Sequence, residues 1–172
     1  MQQFLKVFLD IVLWRRGPQD LPSSGLLVAA TLVAYELVTL LQIALFGVNS
    51  AELILFLVID PLLLMGGLWL VLKLYGHSGR WPQAAAAVLG CTALMGLVLT
   101  LPMLLFDGAR AAADPPPSLA LLAICSIIAF ILVVGRIIQQ ATDSNLLTGT
   151  ALATTYVVIM EALAGMAHAP AN

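Results

Sequence analysis

Five uninterrupted apolar runs, each about 20–25 residues long, constrain this chain more than any other feature. An α-helix needs about 20 apolar residues to cross a hydrocarbon core of about 30 Å, and each run meets that length. Of the 172 residues, 62% are hydrophobic and 9% are charged, whereas a soluble domain carries about 25% charged residues. The runs are continuous rather than alternating, which excludes transmembrane strands. The sequence predicts an all-α integral membrane bundle of five transmembrane helices. The predicted spans are 25–47, 52–75, 82–106, 118–138 and 146–166.

Residues 1–24 form an arm and linker ahead of the first span, and residues 167–172 form a short tail after the last one. Residues 2–14 place most apolar side chains on one helical side and Lys6 and Asp10 on the other. This amphipathic helix is too short to span, so we expect it to lie in the membrane interface. A helix packed beneath the bundle is the alternative. The residues assigned to the interfacial arm are Phe4, Phe8, Trp14, Arg15 and Arg16.

The basic residues predict the orientation of the spans. With five spans, one side of the membrane carries six of the seven Lys and Arg residues, and the other carries only Arg110. Short loops rich in Lys and Arg stay in the cytoplasm. We therefore expect a cell membrane protein, of the bacterial inner membrane, with a cytoplasmic N-terminus and an outward-facing C-terminus. The six residues on the predicted cytoplasmic side are Lys6, Arg15, Arg16, Lys73, Arg80 and Arg136.

Three carboxylates fall inside predicted spans, namely Glu36, Asp60 and Glu161. An acid at mid-bilayer costs about 2.5–3.5 kcal/mol on insertion scales, so each needs an explanation. Depth along the helices places all three in the middle or the outer half of the membrane. No Lys or Arg lies at matching depth, which removes ion pairing. Each acid must be protonated, hydrated or hydrogen-bonded.

Hydroxyl groups lie close to these acids in the sequence. Thr39 is one helical turn beyond Glu36, while Thr150 and Thr154 share a helical face with Glu161. Asp60 precedes a proline, which frees a main-chain carbonyl in the same helix. Three interpretations stay open: neutral acids bonded inside the bundle, an interface with another membrane subunit, or a polar cavity for a proton, a cation or an amine-bearing ligand.

Small residues on the second and third spans indicate close helix packing, within the bundle or in an oligomer. Gly66 and Gly67 leave the second span without side chains at two consecutive positions, while Ala86, Gly90 and Ala93 form a small-residue stripe on the third span.

Several classes of function find no support. There is no basic run for nucleic-acid binding. His77 and His168 lie in a turn and in the tail, without a nucleophile motif or a metal-ligand spacing. Cys91 and Cys125 lie within apolar runs, as small core residues do. We expect no enzyme activity, no metal and no cofactor.

The stretch from Gly76 to Gln83 is a short Gly/basic turn before the third span, and Pro102 falls near the end of that span. A polar hairpin over Arg136–Asn145 leads into the last span at Leu146. Together with five spans and short loops, these features resemble the bacterial branch of the Yip1-domain family over residues 25–166. The resemblance implies a non-enzymatic polytopic membrane protein.

Two hypotheses for function follow. The first is a scaffold or accessory subunit whose partners are the lipid bilayer and another membrane subunit or a second copy of the chain. The second is a small transporter or channel-like carrier that uses Glu36, Asp60 and Glu161. A carrier requires these acids on a shared cavity, whereas a scaffold leaves them singly bonded and dry.

Overall fold

The computed structural model of the chain describes residues 2–46, 48–105 and 117–168. These ranges form helices and turns without a strand, which confirms the predicted all-α fold. The linker at 107–116, with Arg110, and the tail at 169–172 lie outside the described residues. The helices are α1 Gln2–Val12, α2 Gly25–Phe46, α3 Ser50–Leu74, α4 Trp81–Leu105, α5 Pro117–Thr142 and α6 Leu146–His168.

Helices α2 to α6 are each long and apolar enough to cross a membrane, as the sequence predicts. Their bounds follow the predicted spans closely, except that α5 continues to Thr142 instead of ending at Ile138. The hydroxyl of Thr142 donates to the carbonyl of Ile138 at 2.7 Å, within the last turn. Polar residues end the apolar run here, but they do not break the helix.

Helix α4 is the centre of the bundle. It packs against α1, α2, α3 and α5, and its residues Ala84–Leu89 are almost completely buried. Four consecutive alanines in this stretch allow neighbouring backbones to approach from several sides. Of the small residues predicted on this helix, Ala86 and Ala93 are buried and Gly90 lies beneath the ring of Phe8.

A close backbone contact between two spanning helices joins α5 to α6. A Cβ atom added at Gly149 would lie 2.0 Å from the carbonyl oxygen of Gly135, so only glycine fits there. Gly66 and Gly67 are exposed on α3, and a Cβ added at either position would meet nothing within 4 Å. Among the described residues they therefore make no close helix contact, and their packing role in an oligomer stays a prediction.

Helix α1 lies against the first half of α4. The ring of Phe8 packs on Gly90, Ile11 is 3% exposed, and the Sγ of Cys91 lies 3.8 Å from the carbonyl oxygen of Phe8. The amphipathic helix therefore directs part of its apolar side into the bundle, which is the packed arrangement that the sequence left open. The side chain of Phe4 lies outside the described residues.

Helix α3 contains one π-helical turn at Leu55–Ile59, immediately before Asp60. The amide of Asp60 donates to the carbonyl of Leu55, five residues back. Pro61 follows, and a proline inside a helix lacks an amide donor and crowds the preceding turn. The wider turn accommodates that crowding and lies where the polar site begins; single π turns of this kind often occur at functional sites.

A polar cavity between the five long helices

Asp60 links three helices through its carboxylate. It is 7% exposed. The hydroxyl of Tyr35 on α2 donates to Oδ2, and the hydroxyl of Tyr156 on α6 donates to Oδ1. Each oxygen of the acid therefore has one hydroxyl donor from a different helix. This acid is the polar centre of the bundle.

The three residues meet at the middle of the bundle. Tyr35, Asp60 and Tyr156 each lie ten residues after the first residue of their helix, at 25, 50 and 146. At 1.5 Å per residue this is about 15 Å from the helix end, half of a hydrocarbon core of about 30 Å. Helices α2 and α6 run in one direction and α3 in the other, so all three side chains reach the same depth.

A cavity of about 340 Å³ opens beside this carboxylate. Residues from all five long helices line it, and exposed side chains such as Ile127 and Glu161 are among them. Its size falls within the range of about 300–1,000 Å³ that is usual for small-molecule sites. The polar side chains that line it are Tyr35, Thr39, Gln42, Asp60, Thr92, Ser126, Tyr156 and Glu161.

The structure brings together only part of the predicted polar site. Asp60, Glu161 and Thr39 line the cavity. Glu36 does not line it, although it is adjacent to Tyr35. Thr150 and Thr154 also lie away from it, and each donates to a carbonyl one turn back in α6, at 2.9 and 2.8 Å.

Sequence reasoning missed the other five polar residues of the lining, which are Tyr35, Gln42, Thr92, Ser126 and Tyr156. The two tyrosines carried a signal, since a tyrosine hydroxyl within an apolar run generally needs a hydrogen-bond partner. Gln42 donates to the carbonyl oxygen of Gly96 at 3.4 Å and to the Thr100 hydroxyl at 3.2 Å, which ties α2 to α4. The hydroxyl of Thr92 is buried at the cavity wall and has no hydrogen-bond partner among the described residues.

Aromatic rings complete the walls near Asp60. Phe130 on α5 lies 6.1 Å from Tyr156 between ring centroids, with the planes inclined by 35°. Phe56 of the π-helical turn and Tyr35 also line the cavity. Four aromatic side chains from four helices thus line the same cavity as the acid.

A second group of charges lies at the end of the bundle where α3 ends and α4 begins, which we name the basic end. Arg80 donates to Asp143 at 2.7 Å, and the Nε2 of His77 is 3.2 Å from the same carboxylate oxygen. The guanidinium of Arg136 lies 4.9 Å from the ring centroid of Trp14. These contacts join the α3–α4 turn, the α5–α6 turn and the arm.

The remaining arm residues are placed nearby. Arg15 is exposed, and the Nε of Arg16 lies 3.4 Å from Asp10. Within the described ranges, no three His, Cys, Asp or Glu side chains come together as a metal site would require.

The fold and the cavity define the class: a multi-pass α-helical membrane protein with a polar cavity among its spans. No protein family model, no curated protein and no solved structure matches the chain. The resemblance to the Yip1-domain family therefore stays a prediction.

Proposed function

We propose that this protein is a carrier of the cell inner membrane that binds a small polar or charged solute between its five long helices. The observation that supports this most directly is that Asp60 and Glu161 line one cavity with residues of every spanning helix. The carrier hypothesis requires the three acids on a shared cavity, and two of them meet this requirement, whereas Glu36 does not line the cavity. Exchange between two sides of a membrane also requires a site near mid-depth, where Asp60 lies.

The chemistry of Asp60 supports a binding role. An ionised carboxylate offers about four acceptor positions, and the two tyrosine hydroxyls use two of them. The remaining positions can accept hydrogen bonds from a solute. A carboxylate that costs about 2.5–3.5 kcal/mol at mid-bilayer also favours any ligand that neutralises it.

The carrier proposal is tested by solute flux in proteoliposomes. Radiolabelled sodium, methylammonium, glycine and acetate are added to vesicles that contain the purified chain. We expect saturable uptake of at least one of them, and a loss of about tenfold or more in Asp60→Asn, because the amide removes the charge but keeps hydrogen-bonding groups beside both tyrosines.

Glu52→Gln is the matched control for this experiment. It also changes an acid of α3 to its amide, but Glu52 lies in the first turn of the helix and does not line the cavity. Glutamine retains the helix-capping function of this position, so we expect flux to be unchanged. Absence of saturable uptake for all four solutes, with folded protein in the vesicles, would exclude the carrier.

A scaffold or accessory subunit is the second candidate, and the exposed face of α3 favours it. Gly66 and Gly67 are solvent- or lipid-facing with open space beyond them, and small residues of this kind allow another helix to approach closely. Purification in mild detergent followed by mass measurement tests this. A stoichiometric companion or dimer that is lost in Gly67→Leu supports the scaffold, and a monomer opposes it.

A further inference from the structure

We infer that the ligand of this cavity is an organic ammonium ion, bound by the carboxylate of Asp60 and by aromatic rings around it. This inference rests on the proposed function, because it names the solute class of the same cavity. It follows from the charge of the residues that line the cavity, from the aromatic side chains among them, and from the hydrogen-bond acceptor positions of Asp60 that the two tyrosines do not use.

The charge of the lining selects a cation. Both charged residues among those that line the cavity are acids, Asp60 and Glu161, and the described lining contains no Lys, Arg or His. The nearest basic clusters are at the basic end of the bundle, where Arg80 is paired with Asp143. An anion in the cavity would meet two carboxylates without a compensating charge.

The aromatic walls favour an organic cation over a metal ion. Tyr35, Phe56, Phe130 and Tyr156 line the cavity, and the face of such a ring attracts an ammonium group within about 6 Å of its centroid. Metal cations such as Ca²⁺ need six or more oxygen ligands. The wall around Asp60 includes apolar side chains such as Val38, Met95 and Met160, which suit the carbon atoms of an amine.

Hydrogen-bonding groups remain available for such a ligand. Asp60 retains acceptor positions beyond those used by the two tyrosines. The hydroxyl of Thr92 is buried at the wall without a partner among the described residues, and leaving a buried hydroxyl without a hydrogen bond is unfavourable. An ammonium N–H group or a polar substituent of the ligand would satisfy it.

Glu161 is the exposed acid of the cavity lining. It lies five residues beyond Tyr156 on α6, which is about 7.5 Å further from the basic end. It lines the cavity and is exposed, whereas Asp60 is buried. A cation bound at Asp60 would therefore have a second acid in the same lining, at a more exposed position.

The test is equilibrium binding of benzylammonium, a cation with three N–H donors and one aromatic ring, to the full chain in lipid nanodiscs, measured by calorimetry. Benzyl alcohol and benzenesulfonate serve as the neutral and the anionic comparison. We expect saturable binding of the cation alone. The affinity should fall about tenfold or more in Asp60→Asn and about three- to tenfold in Phe130→Leu, and it should be unchanged in Glu52→Gln.

Phe130→Tyr keeps an aromatic face and should retain the affinity, which separates ring chemistry from packing. The two variants Phe130→Leu and Phe130→Tyr also test the inference if the Asp60→Asn variant does not fold. Equal binding of the alcohol or the sulfonate would overturn the inference, as would full affinity in both Asp60→Asn and Phe130→Leu.

The binding experiment tests the ligand class and the flux experiment tests the carrier, so either proposal can fail while the other holds. Cation binding at equilibrium without any flux upholds the ligand class and rejects the carrier. Asp60-dependent flux of sodium or acetate, with no binding of the ammonium probe, upholds the carrier and rejects the ligand class.

Discussion

Single atoms decide how closely the helices of this bundle approach one another. At Gly149 the backbone of α6 touches the carbonyl of Gly135 on α5, whereas Gly66 on α3 faces open space. The two kinds of glycine look alike in the sequence, since each lies in an apolar run. Only the neighbour across the contact distinguishes them, and it comes from a different part of the chain.

Gly149→Ala is expected to destabilise the bundle by about 1–3 kcal/mol, because the added methyl group overlaps the Gly135 carbonyl and forces α5 and α6 apart. Gly66→Ala is the matched control, and it should leave stability unchanged or raise it by up to about 1 kcal/mol through helix propensity. Unfolding in mixed micelles, followed by circular dichroism, measures both. Equal effects of the two substitutions would contradict the helix contact.

At the scale of elements, α1 depends on α4 for its position. The sequence shows that this helix is amphipathic and too short to span, and the structure seats Phe8 on Gly90. The contact between α1 and α4 could not be predicted from sequence, because the apolar side of a helix can be buried equally well in lipid or in a groove between helices. The π-helical turn of α3 could likewise be predicted only in part, since Pro61 predicts a distortion of the helix but not that the distortion is a π turn.

Phe8→Ala is expected to destabilise the packed position of α1 by about 1–3 kcal/mol. This is less than the about 3–5 kcal/mol usual in a soluble core, because lipid can solvate the freed surface. Leu9→Ala changes a side chain that is 42% exposed and should have little effect. Limited proteolysis of the arm in nanodiscs reports its release. Equal protection of the Phe8→Ala and Leu9→Ala variants would contradict the seating of Phe8.

At the scale of the whole molecule, three basic residues that the structure describes in the spans and turns, Lys73, Arg80 and Arg136, lie towards one end of the bundle. Arg80 contacts Asp143 and the main-chain carbonyls of Gln140 and Ala141, which joins the α3–α4 and α5–α6 turns. Arg136 stacks on Trp14 of the arm. We propose that this basic end faces the cytoplasm, since short loops with Lys and Arg remain on that side.

Cysteine labelling with a membrane-impermeant maleimide tests the orientation, after Cys91 and Cys125 are replaced by alanine. Ser78→Cys, in the turn at the basic end, should be labelled only in inverted membrane vesicles. Ser50→Cys, at the opposite end of α3, should be labelled in intact spheroplasts. The reverse pattern would invert the orientation, and labelling of both positions from one side would contradict a spanning α3.

The candidate site was predictable in part. Asp60 and Glu161 could be selected from sequence, because a carboxylate in an apolar run is costly and therefore conspicuous. The signal is weaker for Tyr156, Gln42 and Thr92. Many hydroxyl and amide groups in spanning helices form hydrogen bonds only within their own helix, so their presence does not mark a site. Thr150 and Thr154 show this, as both donate to carbonyls of α6.

The sequence by itself determined that the chain forms five long apolar helices, and where each begins and ends to within a few residues. It could do so because the free energy of entering lipid sums along each segment, independent of its neighbours. Only the tertiary structure decided that Asp60 meets Tyr35 and Tyr156, and that Glu36 lies outside the cavity. Those outcomes depend on how each helix is rotated, which is set by atoms on other helices.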